Sequence, residues 1–398
     1  MAGDQGGAVM TEVPAEEFAE RRARVREDAA REGLAGLLVC SRGGGTTDRY
    51  GDVKYLTNFY TRFPFIPDVP GEWTARAHAF VVLPVEGEPV LVADDIPKRD
   101  EEMAIDKVVV TGDVIASVIE ALKETGLTEG KVGIVGSDTL PWSVHAKLVG
   151  ACPEVEWLPT DELLGRFRMV KSSAEVEKLR HASQVGSRAT EAMLIKAEAG
   201  CTHGEVVAAG MEILVTNGGI LYNNFMSSGR GGNNPTMVAT SFPTWGSKEV
   251  LEDGDWFHCG ISGAVDGYYF DHARSKPIGN PTAEQIRVFE GPMLAVQAAI
   301  AEIRPGVTAS QVARAGREKL ESLGFEFEGA FKGFGHGVGL GWDSPWLIES
   351  DHTVLEKNMV LCVERSVRHM GYVGDFEETG VVTDDGFELF TDARIKWW

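Results

Sequence analysis

The feature that most limits what this chain can fold into is a carboxylate fused to an apolar strand. Glu364 closes the run Met359-Val-Leu-Cys-Val363, and burying an ionised carboxylate without a cation or hydrogen-bond donors costs several kcal/mol, on the order of what a whole domain has to spare. Asp271 follows Gly267-Tyr-Tyr-Phe270 in the same way, and Glu377 sits beside Phe376 just before Val381-Val382. Because a strand turns alternate side chains to one face, three acids on three strands can converge on one point. His336 lies in Gly333-Phe-Gly-His-Gly-Val-Gly339-Leu-Gly341, where glycines let backbone pass close to a site. One imidazole with three carboxylates is a mixed N/O donor set suited to Mn, Fe, Co or Zn. The alternative is that the acids form salt bridges and His336 is a hydrogen-bonded core residue.

The 398 residues carry a net charge of −22, with 43% hydrophobic and 25% charged side chains. That is an ordinary globular composition with enough apolar material for a core. No basic run offsets the negative charge, so a phosphate backbone or an anionic membrane is a poor partner. No apolar stretch approaches the ~20 residues of a bilayer span. The cysteines at 40, 152, 201, 259 and 362 are odd in number and contain no C-x-x-C pair, which reads as reduced thiols and a cytoplasmic location.

The chain divides near residue 165. Residues 1–165 alternate helix and strand: a helix over 16–32, strands over 35–40, 78–83, 89–93 and 131–135, and helices over 114–124 and 142–149, the pattern of an α/β domain. Residues 166–398 open with Ser172 and Glu175 at capping-box spacing before a long helix over 174–199. Further helices are expected over 203–216, 283–303 and 309–323, with strands at 256–261, 267–271, 359–365, 374–378 and 381–383. Helices on one side of a largely antiparallel sheet make this an α+β domain.

Taken together, Lys171-Ser-Ser-Ala-Glu175 with Arg180-His-Ala182, Ser228-Gly, Asn234-Pro235, Gly254-Asp255, Asp266 to Arg274, Gly335-His336-Gly-Val-Gly339, Val363-Glu364 and Phe376-Glu377-Glu-Thr379 resemble the pita-bread family of methionine aminopeptidases, Xaa-Pro aminopeptidases, prolidases and creatinase. The resemblance covers nearly the whole chain. It implies an α+β pita-bread catalytic domain at 166–398, preceded by an α/β creatinase-like N-terminal domain at 1–165.

In that family's metallopeptidases five ligands hold two metal ions. The resemblance places four of them on Asp271, His336, Glu364 and Glu377; the fifth, an Asp, falls on Gly260. It therefore implies one divalent transition metal (Fe, Mn, Zn or Co), or a polar pocket without metal as in creatinase. His258 lies two residues before Gly260 and shares its face, so it can ligate, act as base or simply pack there. Two family histidines that bind the scissile peptide fall on Asn233 and Asp343, which weakens the case for peptide hydrolysis. Asp343 is then a candidate base or a counter-ion to a cationic substrate, against a plain turn residue.

Tyr60, Arg62 and Arg76 form an aromatic and Arg-bearing stretch that, in creatinase-like relatives, reaches the neighbouring subunit's site. A homodimer follows from the resemblance, with either Arg able to grip a substrate carboxylate. The reading is a metal-dependent hydrolase of a small polar amide, amidine or ureido compound, with Glu364 as ligand and base. The alternatives are a lyase of the dimethylsulfoniopropionate-lyase type, suggested by Trp342, Pro345 and Trp346, an Xaa-Pro peptidase, and a non-catalytic binding module.

Overall fold

The structure, a computed structural model, describes residues 12–43, 49–61, 66–94, 103–229, 246–329 and 331–398. The chain folds as two compact units, Val13–Arg168 and one containing Met169–Trp398.

The first unit holds α1 (Ala15–Arg31), β1 (Gly36–Arg42), α2 (Gly51–Thr57), β2 (His78–Pro84), β3 (Val90–Ala93), β4 (Val108–Val110), α3 (Val114–Glu124), β5 (Glu129–Val135), α4 (Trp142–Ala151) and β6 (Glu154–Pro159), and the chain leaves it through α5 (Asp161–Met169). Its strands form one mixed sheet in the order β4-β3-β2-β1-β5-β6. β1 is buried along six of its seven residues, as its unbroken Leu-Leu-Val-Cys run requires of a strand covered on both faces. β4, β6, α2 and α5 lie outside the expected elements, being short or amphipathic only in part.

The second unit begins at α6 (Ser173–Lys196), whose capping box between Ser172 and Glu175 is formed as the sequence spacing indicates. It continues through α7 (His203–Thr216), β7 (Gly219–Ser227), β8 (Trp256–Val265), β9 (Tyr268–Pro277), α8 (Ala283–Glu302), α9 (Ala309–Ser322), β10 (Gly335–Val338), β11 (Trp342–Trp346), β12 (Val360–His369), β13 (Tyr372–Val382) and β14 (Phe387–Leu389). The strands make two sheets, β7-β8-β9 and β11-β10-β12-β13-β14. α6 packs on β8 and β9 while α8 packs on β12 and β13, so the helices serve two sheets, where the sequence pattern suggests one. No helix among the described residues is long and apolar enough to cross a membrane.

Three local departures place the site. The segments expected at 374–378 and 381–383 are one continuous strand, because Gly380 lets β14 pass so close that a Cβ there would lie 2.3 Å from the Glu388 carbonyl. The Gly-His-Gly segment is a strand threaded between two others: a Cβ on Gly335 would lie 1.9 Å from the Cys362 carbonyl, and one on Gly337 2.3 Å from that of Ser344. β7 is hidden in the sequence by Asn223 and Asn224, poor strand formers, and its ladder to β8 shifts register between Leu221 and Asn223.

Candidate active site

Strand pairing fixes where the four candidate ligands point. Glu364 on β12 stands directly opposite Glu377 on β13, and the Glu364 amide donates to the Phe334 carbonyl at 3.1 Å, two residues from His336 on β10. From the other sheet, Asp271 on β9 projects from the face that β8 shares through Gly260 and His258. All six residues line one cavity of about 440 Å³, together with Asp375, Arg368, Phe225, Phe331, Trp342 and Trp346.

His336 is the hinge of the group. Its Nδ1 donates to the Gly337 carbonyl at 2.9 Å, which fixes the tautomer and turns Nε2 inward. Nε2 lies 3.6 Å from Asp271 Oδ2 and 3.7 Å from Glu364 Oε1. A lone pair facing two carboxylates is repulsive unless a cation stands between them. The shifts in acidity express the same strain. Burial works against charging His336, but the adjacent carboxylates of Asp271 and Glu364 outweigh it and raise its pKa. Burial first, then Asp271 and Asp375 against the pull of His336, pushes Glu364 up to about 7. Glu377 is driven well above the carboxylate range by burial, then by Asp271, Glu364 and Asp375.

These residues fit a divalent transition ion. One imidazole nitrogen and three carboxylates are the right donors, and the buried Glu377 Oε2 has no hydrogen-bond partner. No group of three or more His, Cys, Asp or Glu among the described residues stands as a finished coordination cage. Trp342 borders the group, its indole N–H donating to Asp271 Oδ2 at 3.0 Å.

His258 occupies the wall beside Gly260. A Cβ on Gly260 would lie 3.9 Å from His258 Nε2, so the imidazole has come up against the space that a larger residue at position 260 would fill. Its Nε2 is 3.0 Å from Asp375 Oδ2. Asp375 is absent from the sequence-derived candidates, although its place two residues before Glu377 puts it on the same face of β13.

Two candidates are corrected. Asp343 does not line the cavity: alternation along β11 exposes Trp342 and Trp346 and turns Asp343 into the interior, where Oδ2 lies 3.4 Å from Lys171 Nζ. A base or substrate counter-ion cannot act from there. Arg76 is committed within its own unit, its Nε donating at 3.0 Å to the buried carboxylate of Asp94. Tyr60 is half-buried and packs edge-on to Tyr50 at 4.9 Å. Asn233 and Arg62 lie outside the described residues.

Residues 177–384 match the profile of metallopeptidase family M24, and residues 21–170 match that of the creatinase/prolidase N-terminal domain. Among curated proteins, the Xaa-Pro dipeptidase of Lactobacillus helveticus is 26% identical over 65% of this chain and 73% of its own length. The "Probable dipeptidase PepE" of Mycobacterium tuberculosis is 28% identical over 94% of each chain. A solved Xaa-Pro dipeptidase from Bacillus anthracis superposes with a TM-score of 0.77 at 23% identity, covering 95% of this chain and 98% of that one.

Proposed function

The chain belongs to metallopeptidase family M24, a family of hydrolytic enzymes with the pita-bread fold, and from that premise we propose that it cleaves a C–N bond in a small polar amide, amidine or ureido compound. The observation that carries the reading is the convergence of Asp271, His336, Glu364 and Glu377 on one cavity of about 440 Å³, with aromatic rings over much of its remaining wall. A divalent transition ion (Fe, Mn, Zn or Co) held by those four would polarise the carbonyl or amidine carbon and activate water. Glu364, which lines the cavity opposite Glu377, would accept a proton from that water and return it to the leaving nitrogen. The Trp342 indole fixes the rotamer of Asp271, and Trp342, Trp346 and Phe331 shield the reacting groups from bulk water.

The relatives named Xaa-Pro dipeptidase favour a second reading, hydrolysis of Xaa-Pro dipeptides. Against it stand Gly260, which supplies no carboxylate, and Asp343, which is turned to Lys171 and gives the cavity no hydrogen-bond donor; preorganised donors at an oxyanion contribute ~10²-fold or more each. The test is turnover of Xaa-Pro dipeptides beside N-acetyl, N-carbamoyl and guanidino amino acids, with Mn, Co, Zn or Fe supplied. Metal-dependent cleavage of at least one of the latter, faster than of any dipeptide, is expected. Dipeptide rates within tenfold of an ordinary prolidase would overturn the proposal.

The reading includes a homodimer in which the segment bearing Tyr60 and Arg62 serves the neighbouring protomer's site. Mixing Arg62→Ala and Glu364→Ala chains, each inactive alone, is expected to restore part of the activity through heterodimers. No recovery at any mixing ratio would exclude sharing.

A further inference from the structure

The cavity wall carries three linked side chains that the proposed metal chemistry does not use. Ser227 ends β7 directly opposite His258 on β8, and His258 stands opposite Ser275 on β9, so the three form one row on a single face of that sheet. Asp375 on β13 meets the row from the other sheet. Its backbone N–H donates to the Ser275 hydroxyl at 3.0 Å, and its Oδ2 lies 3.0 Å from His258 Nε2. His258 Nδ1 lies 3.5 Å from the Ser227 hydroxyl. Ser227, His258 and Asp375 all line the cavity of about 440 Å³.

The hydrogen bonds decide what each imidazole nitrogen does. A carboxylate only accepts, so His258 Nε2 carries the proton given to Asp375, and in the neutral ring Nδ1 turns its lone pair towards Ser227. A base then stands within reach of a hydroxyl, and an acid fixes the tautomer of the base and stabilises the imidazolium that forms. The 3.5 Å separation is in the looser range of sites without substrate. Neighbouring serines lack this arrangement. Ser228 Oγ lies 3.0 Å from His203 Nε2, but His203 Nδ1 has no hydrogen-bond partner to orient the ring. Ser366 lines the cavity with no imidazole bonded to it among the described residues.

We infer that Ser227 is a nucleophile activated by His258 and Asp375, and that it takes the acyl group of a small aryl ester. The rings of Phe225, Phe331, Trp342 and Trp346 on the same cavity suit an aromatic leaving group. In the acylation step Ser227 Oγ bonds to the ester carbonyl carbon while its proton passes to His258 Nδ1; the ester C–O bond breaks and the phenol leaves with that proton. A water molecule, giving its proton to the same nitrogen, then adds to the acyl carbon, and the carboxylic acid departs as the proton returns to Ser227 Oγ. This activity goes beyond the metal-dependent reaction and draws on none of its four ligands.

The test is reaction of the full chain, with and without chelator, with an alkyl fluorophosphonate, which forms a P–O bond to an activated serine and releases fluoride. Intact mass counts the adducts and peptide mapping places them. One adduct per chain, on Ser227, is expected at the same rate in both conditions. Ser227→Ala is expected to abolish it and Ser366→Ala to leave it unchanged. His258→Gln is expected to slow it by about 10²-fold or more, and Asp375→Asn by about tenfold or more. Should Ser227→Ala lose the fold, cysteine variants keep the question open: Ser227→Cys is expected to react with iodoacetamide roughly tenfold faster than Ser228→Cys, because only the former faces an oriented base. No adduct, an adduct on another residue, a rate that His258→Gln leaves unchanged, or equal alkylation of the two cysteines would overturn the inference. Metal-dependent hydrolysis without the adduct defeats this inference alone; the adduct in a protein without metal-dependent hydrolysis defeats the proposed reaction alone.

Discussion

Glu364→Gln is expected to lower kcat by about 10³-fold, the range in which a positioned general base contributes, and to reduce bound metal below the level of the parent chain. For the parent we expect one equivalent, because four ligands surround one ion while Gly260 cannot supply the carboxylate of a second; elemental analysis giving two would defeat that count. The substitution has an opposite effect on stability. The folded-state pKa of Glu364 is raised from 4.5 to about 7, so the folded protein binds its proton more tightly than the unfolded chain does. The stabilising contribution is therefore complete below pH 4.5 and lost as pH climbs to about 7. In chelator-treated protein, Glu364→Gln is expected to raise Tm at pH 8 and to change it little at pH 4.5. A Tm lowered at both pH values would mean that the carboxylate supports the fold, and that its charge is not held there for chemistry.

Much of this site is legible in the residues because burying charge is expensive. Glu364 after Val-Leu-Cys-Val, and Asp271 after Tyr-Tyr-Phe, announce themselves by contradicting their surroundings. Asp375 does not: the strand expected over 374–378 already puts it on the face of Glu377, but it follows Gly374, so no unbroken apolar run beside it makes the charge conspicuous. Asp343 fails for a complementary reason. Motif spacing marks its position, but alternation along a five-residue strand decides its direction, and its partner Lys171 lies 172 residues earlier, beyond any local pattern. The first unit's sheet follows largely from its apolar runs. The division of the second unit's strands between two sheets depends on long-range pairing that periodicity does not encode.

Arg274→Met is expected to destabilise the second unit by ~3–5 kcal/mol, the usual result of removing one partner of a buried ion pair. Arg274 is fully buried. One guanidinium nitrogen lies 2.6 Å from Glu378 Oε1, and the other donates to the carbonyls of Ala273, at 3.0 Å, and Glu377. The group also stacks 4.2 Å from the centre of the Phe376 ring. β9 and β13 belong to different sheets, so this one side chain ties together the strands that deliver Asp271 and Glu377 to the cavity. Without it Glu378 keeps the Thr391 hydroxyl but loses its cation, and burial, which already raises its pKa, drives it towards the neutral form. For a unit of this size the loss corresponds to a fall in Tm of roughly 10 °C. Because the Glu377 carbonyl loses its donor as well, activity is expected to fall further than unfolding alone explains. The double substitution Arg274→Met with Glu378→Met leaves no charge stranded and is expected to recover at least half of the lost stability but not the activity. If the double variant is no more stable than Arg274→Met, the guanidinium acts through its backbone bonds and the Phe376 ring, and the ion pair with Glu378 is incidental.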